Sequence, residues 1–433
     1  MLDVLLSLQR AAGAGLASSA ALTIGAGVSA LGTDNSQVQL DGLRLLTTCM
    51  EMMDSADVLP HLGPVVEHVS VCCAGEWYRL VAEALRTAGR LALVLRPMTE
   101  DGSAFRDDVP PPAAAVVNRL FDAVLPRLRE VDIDQEVKES AITASGLLLA
   151  CMGDLKAGAV DEILPILEER LDNEVTRTAT LRALTFASTS PAALPLQKHV
   201  PAVLQKVAAL LRQKSRQVRQ SSLAALDALL SRYADASVAE GLRSVLESTA
   251  TMVDATDAYL AQLALRVAVD ALRSGKAAVA HVETHILPRA LVLAASPLVQ
   301  GSALRSLRTF FETAVEMGGE GKFAPRALAD GIVAQAIAVS AGSAGGGSAG
   351  AAASGAGGDV ADDGEQAGSL KSQALSNSAR CLASVVKAGK KEAKPILSQF
   401  AADADALASG GGGGATHAQL LSLTALGECG ANG

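Results

Sequence analysis

Apolar positions recur along this chain at three- and four-residue steps, broken by polar turns, and this spacing predicts a succession of amphipathic helices. The clearest is VDIDQEVKESAITASGLLL, from Val131 to Leu149. Asp134 stands at the N-cap position, and Val137, Ala141, Ile142, Ser145 and Leu148 share one helical face. The same shape returns at 35–46, 76–87, 173–184, 215–226, 257–268 and 296–307.

Aligning the copies gives a ruler. An aliphatic residue falls in one slot, at Val38, Leu80, Val137, Val175, Val218, Leu260 and Val299, with successive spacings of 42, 57, 38, 43, 42 and 39. Four residues later comes a small one: Gly42, Ala84, Ala141, Ala179, Ser222, Ala264 and Ala303. A helical period near forty predicts an all-α HEAT/armadillo-type α-solenoid of stacked antiparallel helix pairs. The small slot is expected to let neighbouring helix backbones approach. Prolines at 60, 126, 165, 201 and 288 fall in or near the first helix of a pair, where a lost donor is tolerated.

The 57-residue spacing has a local cause. Residues 97–112, PMTEDGSAFRDDVPPP, read as a polar, proline-rich loop insertion. The predicted organisation is a solenoid over 1–339, of seven to eight pairs, then a disordered Gly/Ala/Ser-rich insertion over 340–368. Repeats continue over 369–433, with a second flexible patch from Ser409. LDVLLSLQRA at the start and LLSLTALGECGANG at the finish read as parts of repeats, so a fragment or truncated gene model is expected.

Composition narrows the function. Hydrophobic residues make up 49% of the chain but aromatics only 3%, so the core must be Leu, Ala and Val. A net charge of −9 and the lack of an aromatic platform argue against nucleic acid. The uncharged run Ala11–Thr33 carries five glycines and several hydroxyls, a poor membrane span, and no signal peptide is evident. Cys49, Cys72, Cys73, Cys151, Cys381 and Cys429 show no CxxC or framework spacing, and there is no Asn-x-Ser/Thr acceptor. A reducing compartment, cytoplasmic and/or nuclear, is expected.

Candidate chemistry is sparse. Gly346-Gly347-Ser348-Ala349-Gly350 matches G-x-S-x-G, but it lies in low complexity rather than between a strand and a helix. His281 and His285 stand at i, i+4 in the order H-V-E-T-H, without the third ligand a zinc site requires. The glycine runs lack the Lys-Ser/Thr of a phosphate loop. Neither an enzyme, nor a cofactor, a metal or a small-molecule substrate is expected. One charge feature points to a partner. Lys198, Lys206, Arg212, Lys214, Arg216 and Arg219 form a basic stretch without an acid, after the strongly acidic 130–174. Such runs usually solvate a face. The functional alternative is a bipolar binding surface, with Lys206, Arg212, Lys214, Arg216 and Arg219 as its basic half.

Five ordered stretches carry a resemblance. VDIDQEVKESA and LEERLDNEVTRTATLRALT closely resemble consecutive central units of the cullin-associated, neddylation-dissociated (CAND) proteins. SLAALDALLSRYADA, SPLVQGSALRSLRTFFETAV and LLSLTALGE resemble later units in the same order. The resemblance spans about Leu31 to Glu428 and is strongest from Val131 to Leu230. It implies a clamp around a cullin and its RING subunit when the cullin lacks its ubiquitin-like modifier, one that promotes exchange of substrate-receptor adaptors. Only central repeats match; the family's RING-gripping first units and adaptor-displacing last units have no counterpart, and the 340–368 insertion is foreign to the pattern. The competing expectation is another HEAT scaffold, such as a nuclear transport receptor or a phosphatase scaffolding subunit, whose specific motifs are missing.

Overall fold

The computed structural model describes residues 2–12, 19–233, 239–345, 362–409 and 416–431. Among these the regular structure is helical, apart from one isolated antiparallel bridge, Met98 to Phe105. The chain divides into two units: Met1–Leu210 with Ser215–Tyr233, and Leu211–Lys214 with Ala234–Gly433.

The first unit holds α1 (Leu2–Ala12), α2 (Ala20–Leu31), α3 (Ser36–Met52), the short α4 (Ser55–Val58), α5 (Leu62–Cys73) and α6 (Tyr78–Leu95). It continues with α7 (Ala114–Arg129), α8 (Gln135–Met152), α9 (Ala159–Arg170), α10 (Arg177–Ser188), α11 (Val200–Leu210) and α12 (Arg216–Tyr233). The repeated sequence motif forms the second helix of each pair. These second helices pack in series, α3 on α6, α6 on α8, α8 on α10 and α10 on α12, while α5, α7, α9 and α11 form a parallel row of first helices.

The second unit holds α13 (Ala239–Ala250), α14 (Ala258–Ser274), α15 (Lys276–His285), α16 (Leu287–Ala294), α17 (Gly301–Gly318), α18 (Pro325–Gly345), α19 (Asp362–Ala388), α20 (Ala393–Ser409) and α21 (His417–Ala431). Here α14, α17, α19 and α21 are the series of second helices. Helices α15 and α16 are one first helix interrupted at Ile286, just before Pro288, whose missing donor and fixed φ favour a new start.

Side-chain caps start three of the second helices, at Asp134 as the sequence predicts and also at Asn35 and Asp257. Asn35 accepts from the Gln37 and Val38 amides at 2.9 and 3.2 Å, Asp134 from Glu136 N at 2.8 Å, and Asp257 from Leu260 N at 3.1 Å. Each such cap is worth about 1 kcal/mol. The small slot is buried in all seven copies. A Cβ on Gly42 would sit 2.8 Å from the Ala30 Cβ, so that slot does admit a neighbouring helix. The aliphatic slot behaves less uniformly. Val175 and Val299 precede their helices, and Val175 is 47% exposed because α10 starts only at Arg177.

Two predicted irregular regions differ in detail. Residues 97–112 are pinned: Thr99 N donates to Ala104 O and Arg106 N to Pro97 O, both at 2.9 Å, around the bridge. Arg96 lies 3.7 Å from the Phe105 ring centroid, and Arg106 pairs with Asp54 and Asp108 at 3.0 and 2.5 Å. Within that turn the Thr99 hydroxyl and the Ser103 amide hold the Asp101 carboxyl down at about 2. In the predicted insertion 340–368, the flanks 340–345 and 362–368 are helical ends of α18 and α19. The remainder, 346–361, lies outside the described residues, as does 410–415.

Candidate protein-interaction surface

The rows of helices are tied together by side chains that reach the C-terminal carbonyls of the preceding repeat. Arg127 on α7 donates to Cys73 O at 2.9 Å and Gly75 O at 2.7 Å, at the end of α5. Arg170 on α9 donates to Leu128 O and Glu130 O at 3.1 and 3.0 Å, at the end of α7. Lys206 on α11 donates to Glu168 O at 3.1 Å, in the last turn of α9. The geometry satisfies carbonyls that helix ends leave open and sets cations against the negative end of each helix dipole. In the second unit, buried Asn377 on α19 donates to Ser296 O and Val299 O at 2.9 and 2.8 Å.

This ladder redefines the basic stretch. Lys206 also pairs with Asp172 at 2.8 Å and Glu168 at 3.6 Å, and the Asp172 hydrogen bond raises its pKa. Lys198 pairs with Asp161 at 2.5 Å. The acidic 130–174 segment and the start of the basic one thus neutralise each other between adjacent repeats. Arg216, exposed, and Arg219, half-buried, stand in the first turn of α12 in the first unit. Arg212 and Lys214 are exposed in the second unit, where Arg212 Nε donates to Ser248 Oγ at 3.3 Å.

A groove that the sequence reading missed runs across the second helices of the first unit. It encloses about 770 Å³ between α3, α6, α8 and α10. Half-buried Leu93, Leu147 and Phe186 give it apolar ground. Most charges on it are already matched: Arg86 with Glu83 and Glu136 at 3.1 and 2.6 Å, and Arg90 with Glu51 at 2.8 Å. Exposed Arg182 has no ion pair or hydrogen bond among the described residues. The groove's signal in the sequence was the off-core face of the repeated helices, at positions some forty residues apart.

The other candidates are placed as follows. His281 and His285 stack with ring centroids 6.5 Å apart, and His285 Nε2 lies 3.7 Å from Glu247 Oε1. No group of three or more His, Cys, Asp or Glu among the described residues is arranged to hold a metal. Residues 346–350, with the G-x-S-x-G match, lie outside the described residues. All six cysteines are free thiols, five of them buried. Among the described residues no helix is long and apolar enough to cross a membrane.

Comparison with known proteins agrees with this architecture. The family model for CAND1-like TPR repeats matches residues 15–145. Cullin-associated NEDD8-dissociated protein 1 of Arabidopsis thaliana is 33% identical over 260 residues, 59% of this chain and 21% of that protein. Cullin-associated NEDD8-dissociated protein 2 of Rattus norvegicus is 31% identical over 283 residues, 65% of this chain and 22% of its own length. The chain therefore spans about a fifth of the length of the curated relatives it matches. Among solved structures, importin beta superposes with a TM-score of 0.56 at 14% identity, over 93% of this chain and 47% of that one. An engineered protein gives 0.52 at 16% identity, over 99% and 98%. These two show the fold alone, a HEAT/armadillo-type stack of helix pairs. The sequence matches go further, and with that fold they make the chain a partial CAND-like protein.

Proposed function

We propose that this chain is a protein-interaction scaffold that binds a cullin carrying its RING subunit and no ubiquitin-like modifier. The observation that supports the reading is sequence similarity to cullin-associated proteins over 59 to 66% of the chain. The partner surface is assigned to the groove of the first unit. Leu93, Leu147 and Phe186 would receive an apolar side chain, and Arg182 would meet a carboxylate beside it. An ion pair formed there by an otherwise unmatched arginine contributes more to specificity than to affinity. Binding is assigned to these repeats.

The test is co-elution of the purified chain with a purified, unmodified cullin–RING complex. A stable complex is expected, lost with the neddylated cullin and weakened about tenfold or more by Arg182→Glu or Leu147→Asp, roughly the cost of one broken interface contact. No complex with any unmodified cullin would overturn the reading.

A further inference from the structure

A second concave site lies in the second unit, framed by α17, α19, α20 and α21, with a volume of about 250 Å³. Arg308, Lys387 and Lys390 line it, with no carboxylate in the lining. None of the three cations is in an ion pair among the described residues. That sets it apart from the first unit, where the lysines and arginines along the repeats mostly find a carboxylate one repeat away.

Three details show that the site is built. Ser384 is 1% exposed, and its Oγ accepts from Arg308 Nε at 3.0 Å. Its proton finds no acceptor among the described residues, whereas Ser70 and Ser188 on their helices return theirs to the carbonyl four residues back. Lys390 is held at φ 44°, a left-handed conformation that a lysine adopts only under constraint from its surroundings. Ala393, the first residue of the 17-residue α20, also lines the pocket; its amide is bonded to Lys390 O, so the helix contributes its dipole there and not an open N–H. The one thiol in the wall, Cys429, adds no negative charge, because burial and the neighbouring Glu428 push its pKa up.

We propose that this pocket binds a phosphate dianion. Three cations and a free hydroxyl donor match its doubled charge and three acceptor oxygens; a single carboxylate would leave most of them unused. The apolar walls, Val386 and Leu397, suit the short carbon stem of a phosphomonoester. The proposal stands apart from the cullin reading, since it involves other helices and another chemistry.

Calorimetric titration of the full chain decides it, with N-acetyl-phosphoserine amide, inorganic phosphate and N-acetyl-glutamate amide as probes. Saturable binding of a phosphate probe, at least tenfold tighter than of the glutamate amide, is expected. Tighter binding of the phosphoserine amide than of inorganic phosphate identifies a protein-borne phosphate as the source, and the reverse identifies the free ion. The exposed pair Lys387→Glu and Lys390→Glu should abolish it while leaving the circular dichroism spectrum and melting temperature intact. A correctly folded double variant that still binds would overturn the proposal. So would equal binding of glutamate and phosphoserine amides, or no saturable binding of either phosphate probe at low salt.

Discussion

Arg170 donates from Nη2 to the carbonyl of Leu128 at 3.1 Å, joining the last turn of one first helix to the next across 42 residues of sequence. The side chain is almost fully buried, so the Leu128 carbonyl it meets has no water to fall back on. Arg170→Ala is expected to cost about 2–4 kcal/mol, the range for stranding buried acceptors of charge-assisted hydrogen bonds. Lys206 makes the equivalent contact in the next repeat from a half-exposed position, and Lys206→Ala should cost only about 1 kcal/mol or less. Urea denaturation of the two variants checks the contrast; equal losses would show that the ladder is not what joins the repeats.

Gly146 on α8 meets α10 more closely than any side chain permits. A Cβ built there would lie 2.5 Å from the Ala183 Cα and 3.0 Å from its carbonyl oxygen, both backbone atoms that cannot swing away. Gly146→Ala should therefore destabilise by about 1–3 kcal/mol despite alanine's better helix propensity. Gly25→Ala, on the exposed face of α2 with nothing within 4 Å, should instead stabilise by up to about 1 kcal/mol. Opposite shifts in thermal midpoint are the expected result.

Burial pushes the thiol of Cys72 up to about 11, and those of Cys73, Cys151 and Cys381 up to about 12. A thiol whose folded pKa exceeds its unfolded value of about 8.5 favours the native state fully below that pH. The contribution is lost as pH rises from about 8.5 towards 12, since the unfolded chain then ionises and the folded one does not. Urea midpoints are therefore expected to be unaffected by these groups at pH 7 and to fall between about pH 9 and 11. In the native protein at about pH 8 a soluble thiol reagent should react slowly and first at half-buried Cys429, and after unfolding with all six cysteines.

For the basic residues outside the ladder, charge reversal tests a role in partner binding. Arg216→Glu and Lys214→Glu, each made singly, are expected to weaken cullin–RING binding several-fold at low salt and little at high salt, as long-range complementarity requires. Binding that is unchanged at low salt would reduce both to solvating charges. Lys206→Glu is the wrong probe, because it would first break the contact with α9.

Much of the scaffold was legible in the amino-acid order because it is local. The 3.6-residue periodicity, the cap at Asp134 and the buried small position are all set within one or two helical turns. Such signals survive without knowledge of the neighbours, and seven copies of one pattern left few alternatives to stacked helix pairs. The same locality misjudged Val175, since alignment to a ruler says nothing about where a particular helix begins.

What tertiary structure alone decided is the fate of each charge. Lys206 and Arg182 look alike in sequence, yet one is spent on carboxylates and a carbonyl of the preceding repeat while the other is left open on the groove. Arg308, Lys387 and Lys390 are scattered over more than eighty residues and converge only when α17, α19 and α20 pack. Apolar periodicity says which face of a helix is inside. It does not say which residue, one repeat away, will stand opposite a charge on the other face; that follows from the stagger between packed helices, which close backbone approach at Gly146 and the carbonyl contacts of Arg170 set.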